Sequence, residues 1–363
     1  MTDSPDENIK SAVAAIIDPH TGVSLGDGKS LGDMGVTPTG MEISLTLGYP
    51  ATGWHDELRG LVRGAVADAG YSGDVQVAIE TKVVAHEVQK GVTPIKGVKN
   101  IIAVASGKGG VGKSTVSSNL ALALAAEGAA AGILDADIYG PSQPRMLGIS
   151  GRPQSSDGKT LEPMISYELQ AMSIGFLIDD DTPMIWRGPM VTQALEQLLN
   201  DTQWRELDYL VIDLPPGTGD TQLTLAQKVP VSGAAIVTTP QDIALLDARK
   251  ALKMFEKVEI PVLGVIENMS THICSKCGHE EAIFGTGGGE RMASEYGVDI
   301  LGGIPLDIRI REDADGGRPT VVADPDGAVA ANYRRIARQV AGRLAARKRN
   351  YSEVFPSIVV QNT

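Results

Sequence analysis

The first ninety residues carry two kinds of hydrophobic pattern, one typical of helices and one typical of strands. Two stretches repeat apolar residues at helical spacing, and two others alternate apolar with polar residues, as a strand with one buried face does. The helical stretches hold Ile9, Val13, Ile16 and Ile17, then Leu58, Leu61, Val62, Ala65 and Val66; the alternating ones hold Met41, Ile43, Leu45 and Leu47, then Val75, Val77 and Ile79. The pattern predicts a small α+β domain over residues 1–90.

A different rhythm begins at Asn100, after a short polar segment punctuated by Gly and Pro. We interpret that segment, residues 91–99, as a linker. Beyond it, short apolar runs alternate with helical stretches, which is typical of a mostly parallel sheet covered by helices on both faces. The runs are Ile101–Ala105, Ala131–Leu134, Tyr209–Ile212, Ala234–Val237 and Val262–Ile266. We predict an α/β domain over residues 100–363, with ligands bound beyond the carboxyl ends of its strands.

A glycine-rich loop joins the first of these runs to the helical stretch that follows it. Gly107, Gly112, Lys113 and Ser114 fit G-x-x-x-x-G-K-[ST], the phosphate-binding P-loop. The backbone N–H groups of such a loop surround phosphate oxygens, while its lysine contacts the β- and γ-phosphates and its hydroxyl binds Mg²⁺. The residues expected to bind the nucleotide are Gly107, Lys108, Gly109, Gly110, Val111, Gly112, Lys113, Ser114 and Thr115.

The same glycines allow a second interpretation, as a dinucleotide-binding loop. Gly107, Gly109 and Gly112 also spell G-x-G-x-x-G, and Asp135 stands where a ribose-binding acid would be expected. A dinucleotide site, however, offers no triphosphate or metal ion for the lysine and hydroxyls that follow Gly112. The P-loop interpretation is therefore favoured.

Polar residues follow three other predicted strands. Asp135 and Asp137 come after the second run, and Asp213 ends the third. Phosphoryl transfer to water needs a group that orients the water and acids that hold Mg²⁺; we expect Asp137 in the first role and Asp135 and Asp213 in the second. Gly217 could offer its N–H to the γ-phosphate, and the Asn268 amide could bind adenine. The simpler alternatives are helix caps or turn residues for Asp135 and Asp137, a strand that happens to end in Asp for Asp213, and a turn asparagine for Asn268.

The chain has two cysteines, Cys274 and Cys277, in one C-x-x-C segment, so a disulfide framework is excluded. Two thiolates supply half of a tetrahedral metal site. Either His272 and His279 complete a zinc site, or a second chain brings its own cysteine pair and the two chains share an iron–sulfur cluster. A redox role or no metal at all is the remaining alternative.

Charge and hydropathy narrow the range of partners. The chain has 45 acidic and 32 basic residues and a net charge of −13, which argues against nucleic acid as the main partner. No apolar run approaches the roughly 18 residues of a membrane span, and the acidic N-terminus lacks the apolar core of a secretory signal. We therefore expect a cytoplasmic protein that binds neither nucleic acid nor a membrane.

Lys108 adds a second lysine to the loop, giving K-G-G-x-G-K-[ST], which resembles the deviant P-loop of the MinD/ParA/nitrogenase iron protein group. In that group this lysine reaches the nucleotide of a partner subunit. From about Val98 to about Ala345, the chain closely resembles the Mrp/ApbC family of iron–sulfur cluster carrier ATPases. The matching segments are the loop, D-x-D-x-x-G-P-S at Asp135–Ser142, VIDLPPGTGD at Val211–Asp220, C-x-x-C, and Phe284–Glu290.

This resemblance implies a P-loop ATPase that uses ATP and Mg²⁺, with Lys108, Lys113 and Asp137 as its catalytic residues. It also implies a [4Fe–4S] cluster shared by the cysteines of a homodimer and delivered to apo-proteins. Residues 1–90 resemble, more weakly, an iron–sulfur assembly domain often fused ahead of such ATPases. Because Tyr49–Trp54 lacks the cysteine such domains typically carry, we expect this domain to dock a scaffold or other partner and to bind no metal itself.

A positioning ATPase of MinD/ParA type, acting at a membrane or DNA surface, is the alternative function. The last helical stretch supports it, because an apolar stripe that includes Tyr333 and Ile336 is flanked by arginines such as Arg334 and Arg338. Such a helix can lie on anionic lipid. Its small alanines suit packing against protein better, and a positioning ATPase has no use for the two cysteines.

Overall fold

The computed structural model describes residues 7–178, 188–274 and 276–347. Its first part is a three-stranded sheet in the order β1-β2-β3, with β1 antiparallel and β3 parallel to β2. The elements are α1 (Glu7–Ala14), β1 (Leu31–Thr37), β2 (Gly40–Leu47), a 3₁₀ turn (Thr52–Trp54), α2 (His55–Asp68) and β3 (Val75–Thr81). The four apolar residues of β2 are buried, as their alternation predicts. β1 begins within a Gly/Asp-rich stretch that carries no strand pattern.

The second part alternates strands and helices. Its elements are β4 (Val98–Ala105), α3 (Lys113–Ala126), β5 (Ala131–Asp135), α4 (Gln143–Met146), β6 (Met164–Ser166), β7 (Leu169–Ser173), α5 (Gly188–Asp201), β8 (Leu207–Asp213), α6 (Asp220–Lys228), β9 (Gly233–Thr238), α7 (Asp242–Lys257), β10 (Val262–Ile273), β11 (Glu280–Glu281), α8 (Gly288–Tyr296), β12 (Ile300–Leu306), α9 (Ile308–Asp315), α10 (Thr320–Ala323) and α11 (Ala328–Ala345).

Within the described ranges these strands form one nine-stranded sheet. Its parallel part has the order β12-β10-β9-β4-β8-β5-β7, and the short strands β6 and β11 join antiparallel to β7 and β10. Residues of α3 and α11 pack on one face, while α5, α6 and α7 cover the other. The predicted fold class, a mostly parallel α/β sheet preceded by a small α+β unit, is confirmed.

Two strands extend beyond the apolar runs that predict them. β4 begins at Val98, inside the segment interpreted as a linker. β10 continues from the apolar run through polar residues as far as Ile273. Pairing with β12 and β11 sustains this polar half, because Asn268 lies opposite Ile304 and His272 opposite Glu281. The strand therefore runs directly from the sheet to the first cysteine.

The connecting segment lies against the second part of the chain. Asn100 Oδ1 accepts a hydrogen bond from His86 N at 3.0 Å, and its Nδ2 donates to Val84 O at 2.9 Å. Gln89 Nε2 donates to Val229 O at 2.6 Å, and Gln89 Oε1 accepts from Val231 N at 3.1 Å. These side-chain bonds attach the segment near the starts of β4 and β9. The P-loop lies at the other end of the strands, where β4 finishes.

Three of the four arginines of α11 face protein, and the fourth, Arg335, is exposed. Arg334 Nε and Arg338 Nη1 donate to the buried carboxylate of Glu127, at 2.7 and 2.8 Å, and Arg343 Nη1 donates to Thr21 O at 3.1 Å. The apolar stripe of the helix, with Tyr333 in it, is buried. α11 therefore packs its apolar stripe against protein and holds the first part of the chain against the second. None of the helices in the described ranges is long and apolar enough to cross a bilayer.

Candidate functional site

The residues predicted to bind the nucleotide and its metal ion meet where β4, β5 and β8 end, beside Asn268 in the middle of β10. The P-loop turns from β4 into α3, and Gly112 adopts a left-handed φ of 79° directly before the helix. Two glycines are required by close approach. A Cβ at Gly107 would lie 2.0 Å from the carbonyl oxygen of Asp247 in α7, and one at Gly112 would lie 2.3 Å from Asn268 Nδ2. A side chain at Gly107 would collide with the backbone of α7, and one at Gly112 would displace the Asn268 amide and strain the left-handed backbone.

Lys113 and Asp213 form a buried ion pair beside the loop. The lysine is 6% exposed and the aspartate 0%. Asp213 also accepts a hydrogen bond from Ser117 Oγ at 2.9 Å and one from Gln143 Nε2 at 3.0 Å. Lys113 Nζ lies 3.4 Å from Ser114 Oγ. The structure thus brings together the loop lysine, the loop hydroxyl and the acid at the end of β8.

Asp135 is completely buried at the end of β5. Its carboxylate accepts hydrogen bonds from the backbone N–H groups of Ser142 and Gln143, at 2.9 and 3.1 Å, and from Ser173 Oγ at 3.1 Å. Burial, and then the nearby carboxylate of Asp213, raise the pKa of Asp135 well above its ordinary value. Asp135 therefore shapes the loop after β5 and lies close to the Lys113–Asp213 pair.

Asp137 lies two residues further along the same loop and is half-buried. Burial raises the pKa of its carboxyl group, and the positive charge of Lys113 opposes that increase. A carboxylate close to a P-loop lysine can orient a water molecule beside the phosphates by accepting a hydrogen bond from it. Its environment fits the role that the sequence predicts.

Gly217 and Lys108 occupy different positions around the loop. The backbone N–H of Gly217, at a φ of 103°, donates to Ser106 O at 2.9 Å. This bond joins the segment after β8 to the start of the P-loop. Lys108 is exposed near the tip of the loop. Its charge is available to a group outside the chain's own core, whereas Lys113 faces inward.

Asn268 contacts the P-loop directly. Its side chain is 7% exposed, and Nδ2 donates to Val111 O at 2.8 Å. Beside it opens a cleft of about 300 Å³, most of whose exposed lining is apolar. Residues along the cleft include Gly112, Thr115, Met146, Asn268, Leu306 and Ile310. An apolar cleft with a few polar groups, next to a phosphate loop, suits a nucleobase.

The cysteine pair lies in the turn between β10 and β11. Cys274 is half-buried and Cys277 is exposed. The turn is closed by bonds from Cys274 N to His279 O at 2.9 Å and from Gly278 N to Cys274 O at 2.8 Å. Hydrogen bonds from the backbone N–H groups of Lys276 and Cys277 lower the pKa of the Cys274 thiol. Cys274 lies only six residues after Asn268 in the sequence, and in the structure it directly follows the end of the strand that carries Asn268.

The zinc alternative, in which two histidines complete the site, finds no support in the described ranges. His272 Nδ1 lies 3.2 Å from Leu306 O, on the β12 side of its strand. Among the described residues, no group of three or more His, Cys, Asp or Glu side chains is placed to hold a metal ion.

Two residues at the centre of the site escape sequence reasoning. Ser117 and Gln143 both bond the Asp213 carboxylate, yet neither belongs to the motif residues that were singled out. Gln143 directly follows the D-x-D-x-x-G-P-S segment, and Ser117 lies one helical turn after Lys113. Their positions next to recognised motifs are the only feature of the sequence that points to them. Their bonds to Asp213 depend on how β5, β8 and α3 come together.

Comparison with known proteins decides the family. The family described as ParA, NUBPL iron-transfer P-loop NTPase matches residues 97–341. This chain belongs to that family. The resemblance to iron–sulfur carrier ATPases that the motifs indicate is thereby confirmed.

Relatives in this family carry related names. An iron–sulfur cluster carrier protein of Pseudomonas fragi is 58% identical over 275 residues, which cover 75% of this chain and 96% of the relative. One from Escherichia coli strain K12 is 62% identical over 251 residues, covering 69% and 68%. The mouse iron–sulfur cluster transfer protein NUBPL is 51% identical over 253 residues, covering 69% and 79%.

A solved structure shares the fold. The nucleotide-binding protein of Archaeoglobus fulgidus in complex with ADP is 37% identical, with a TM-score of 0.55. The match covers 65% of this chain and 91% of that one. A P-loop NTPase fold in this family fits the nucleotide site described above.

Proposed function

We propose that this protein is an ATP-dependent iron–sulfur cluster carrier. A homodimer binds a [4Fe–4S] cluster through Cys274 and Cys277 of both subunits and transfers it to apo-proteins. The observation that carries the proposal is the course of β10. Asn268 bonds the P-loop, and Cys274 follows six residues later at the end of the same strand. Family membership and the carrier names of the relatives support it.

The residues present fit ATP and its metal ion. The P-loop supplies backbone N–H groups and Lys113 for the phosphates, and the apolar cleft beside Asn268 accepts the adenine. Ser114, Asp213 and Asp135 supply the oxygens that would hold Mg²⁺, directly or through its water molecules. When bound, Mg²⁺ neutralises charge on the phosphates. Lys113 and the Asp213 carboxylate already lie together at the phosphate end of the loop.

Slow ATP hydrolysis follows from the same residues. Asp137 orients the attacking water and accepts its proton, a role that its raised pKa favours. Lys113 stabilises the charge on the phosphates within the subunit. Lys108 is exposed, and in the dimer it reaches the nucleotide of the partner. Gly217 exchanges its bond to Ser106 O for one to the γ-phosphate, so that hydrolysis moves the segment after β8.

The cysteine turn is suited to binding an iron–sulfur cluster that is later transferred to another protein. One turn offers two thiols, so two turns facing each other complete a four-thiolate site. Because Cys277 is exposed, the cluster lies at the surface, where an acceptor protein can reach it. The apo-proteins that accept the cluster are the partners at this end of the molecule. Residues 1–90, which have no cysteine, dock an assembly scaffold.

Anaerobic reconstitution with iron and sulfide tests the proposal. Cys274→Ser and Cys277→Ser should each lose most of the bound iron and sulfide, while retaining ATP hydrolysis. Ser270→Ala is the matched control, because Ser270 lies on the same strand and bonds β12 rather than the turn. The control should bind a cluster and transfer it to an apo-enzyme, measured as regained activity of that enzyme. Full cluster binding by either cysteine variant would refute the proposal.

A further inference from the structure

Gln143 occupies the centre of the site without a role in any motif. It begins α4, and its side chain is 1% exposed. Its backbone N–H donates to Asp135, and its Nε2 donates both to Asp213 Oδ2 and to the carbonyl oxygen of Ser114, each at 3.0 Å. One residue thus connects the ends of β5 and β8 with the first turn of α3.

The other end of this amide is unpaired. Within the described ranges, Gln143 Oε1 is buried and has no hydrogen-bond partner. The orientation of the amide is fixed by its neighbours, because both atoms facing Nε2 are acceptors and would repel an oxygen there. Ser142 Oγ, one residue earlier, is also buried without a partner. Buried polar atoms are normally hydrogen-bonded, so an unpaired acceptor here indicates a missing donor.

We propose that Gln143 is a positioning residue for the Mg²⁺ that accompanies the nucleotide, with Oε1 accepting a hydrogen bond from a Mg²⁺-bound water. Mg²⁺ usually keeps several water molecules when a protein binds it, and those waters are hydrogen-bond donors. The residues bonded to Gln143 are Asp213, Asp135 and Ser114, the three residues that the proposed function assigns to Mg²⁺. This inference rests on the proposed ATPase function.

The test measures how much Mg²⁺ tightens ADP binding. The full-length protein is titrated with fluorescent N-methylanthraniloyl-ADP, once with MgCl₂ and once with EDTA. Gln143→Leu removes both polar atoms of the amide at similar volume. The gain in affinity from Mg²⁺ should fall about tenfold in this variant.

Gln143→Glu separates this role from a purely structural one. It keeps an oxygen acceptor and adds a negative charge, so the Mg²⁺ gain should equal or exceed that of the wild type while affinity in EDTA falls. Gln89→Leu is the matched control, since Gln89 bonds backbone at the opposite edge of the sheet, and it should keep the full Mg²⁺ gain. Thermal melting checks folding, and Gln143→Met replaces the Leu variant if that variant does not fold.

Two results would overturn the inference. One is a Leu or Met variant with the wild-type Mg²⁺ gain. The other is an equal loss of affinity in EDTA for the Leu and Glu variants without a change in the Mg²⁺ gain, as a structural role requires. A wild-type protein that binds no ADP in either condition would instead refute the ATPase proposal itself, so the two failures are distinguishable.

Discussion

At the scale of single residues, the two lysines of the P-loop differ in what surrounds them. Lys113 is buried against Asp213, so its charge balances a carboxylate that has no access to water. Lys108 is exposed, and the fold does not depend on its charge. The loop therefore combines one lysine that belongs to its own core with one that can act outside it.

Lys108→Ala should reduce ATP hydrolysis at least about tenfold, because in the proposed dimer this lysine acts at the nucleotide of the partner subunit. The free energy of unfolding should change by no more than about 0.5 kcal/mol, as for most exposed positions. Steady-state phosphate release and urea unfolding measure the two effects. Arg152→Ala, at an exposed position away from the loop, is the comparison. Unchanged hydrolysis in Lys108→Ala would remove the basis for its action across the dimer.

His20 is a second residue whose surroundings change a measurable property, the pKa of its ring. Its ring is 5% exposed and lies edge-on to Tyr49 and Trp54, with centroid distances of 5.8 and 5.0 Å. Burial, and then the charges of Arg338, Arg335 and Arg343, lower the pKa of His20 from 6.5 to about 4. The folded protein therefore keeps this histidine neutral under conditions where the unfolded chain protonates it.

Stability should accordingly decrease as the pH falls from about 6.5 to about 4. Between these values the unfolded chain binds a proton at His20 that the folded protein does not, and below about 4 both states bind it. Between pH 7.5 and 5.0 the wild type should lose about 2 kcal/mol more than His20→Gln, measured by urea unfolding. The comparison with this variant is needed because burial raises the pKa of Asp18, which acts in the opposite direction. Parallel pH profiles would contradict the assignment.

The sequence singles out most residues of the candidate site, but it does not show what they contact. The P-loop, the acids at strand ends and the cysteine pair stand out because their types and spacing are local. The bond from Asn268 to Val111 joins residues 157 positions apart, and the bond from Gln143 to Asp213 joins residues 70 apart. These contacts depend on the order of the strands in the sheet, and no local pattern in the sequence predicts that order.

At the scale of elements, α3 connects the nucleotide site to the first part of the chain. The helix begins at the P-loop and ends at Ala126, so it spans about 21 Å at 1.5 Å per residue. Directly after it, the buried carboxylate of Glu127 accepts hydrogen bonds from Arg334 and Arg338 of α11 and from Gly53 N at 2.8 Å. One end of α3 thus belongs to the nucleotide site, and the other end holds the first part of the chain through Glu127.

Glu127→Gln should lower the free energy of unfolding by about 3 kcal/mol, because it leaves two arginine charges without a buried partner. ADP affinity should change little, since the P-loop lies at the far end of α3. Glu57→Gln, at an exposed position on α2, is the matched control and should have an effect of no more than about 0.5 kcal/mol. Urea unfolding measures stability. A loss as small as that of the control would show that the cluster around Glu127 contributes no net stabilisation.

The sequence predicts those strands whose residues are regularly buried and apolar. It does not predict strand segments that are polar and depend on hydrogen bonds to a neighbouring strand. The apolar runs from Ile101 onward all lie within strands, because both faces of a parallel sheet are covered. The polar half of β10 has no run of apolar residues that would predict a strand, because its strand conformation depends on hydrogen bonds to β11 and β12. That half is the part that leads to the cysteines.

At the scale of the whole molecule, the two parts of the chain are joined by more than a linker. Buried apolar residues of β2 and α2 belong to the same hydrophobic cluster as those of α3 and α11. Side chains of Gln89 and Asn100 fix the connecting segment to the second part. The motifs predict what each part contains, but the extent of their contact is visible only in three dimensions.

The central claim concerns the assembly: two cysteine turns, one from each subunit, hold one cluster between them. Native mass spectrometry of protein reconstituted anaerobically, in the presence of Mg²⁺ and ATP, tests it most directly. We expect the mass of one [4Fe–4S] cluster on the dimer and none on the monomer, with both species free of iron and sulfide in Cys274→Ser. A monomer that carries a complete cluster would contradict the claim.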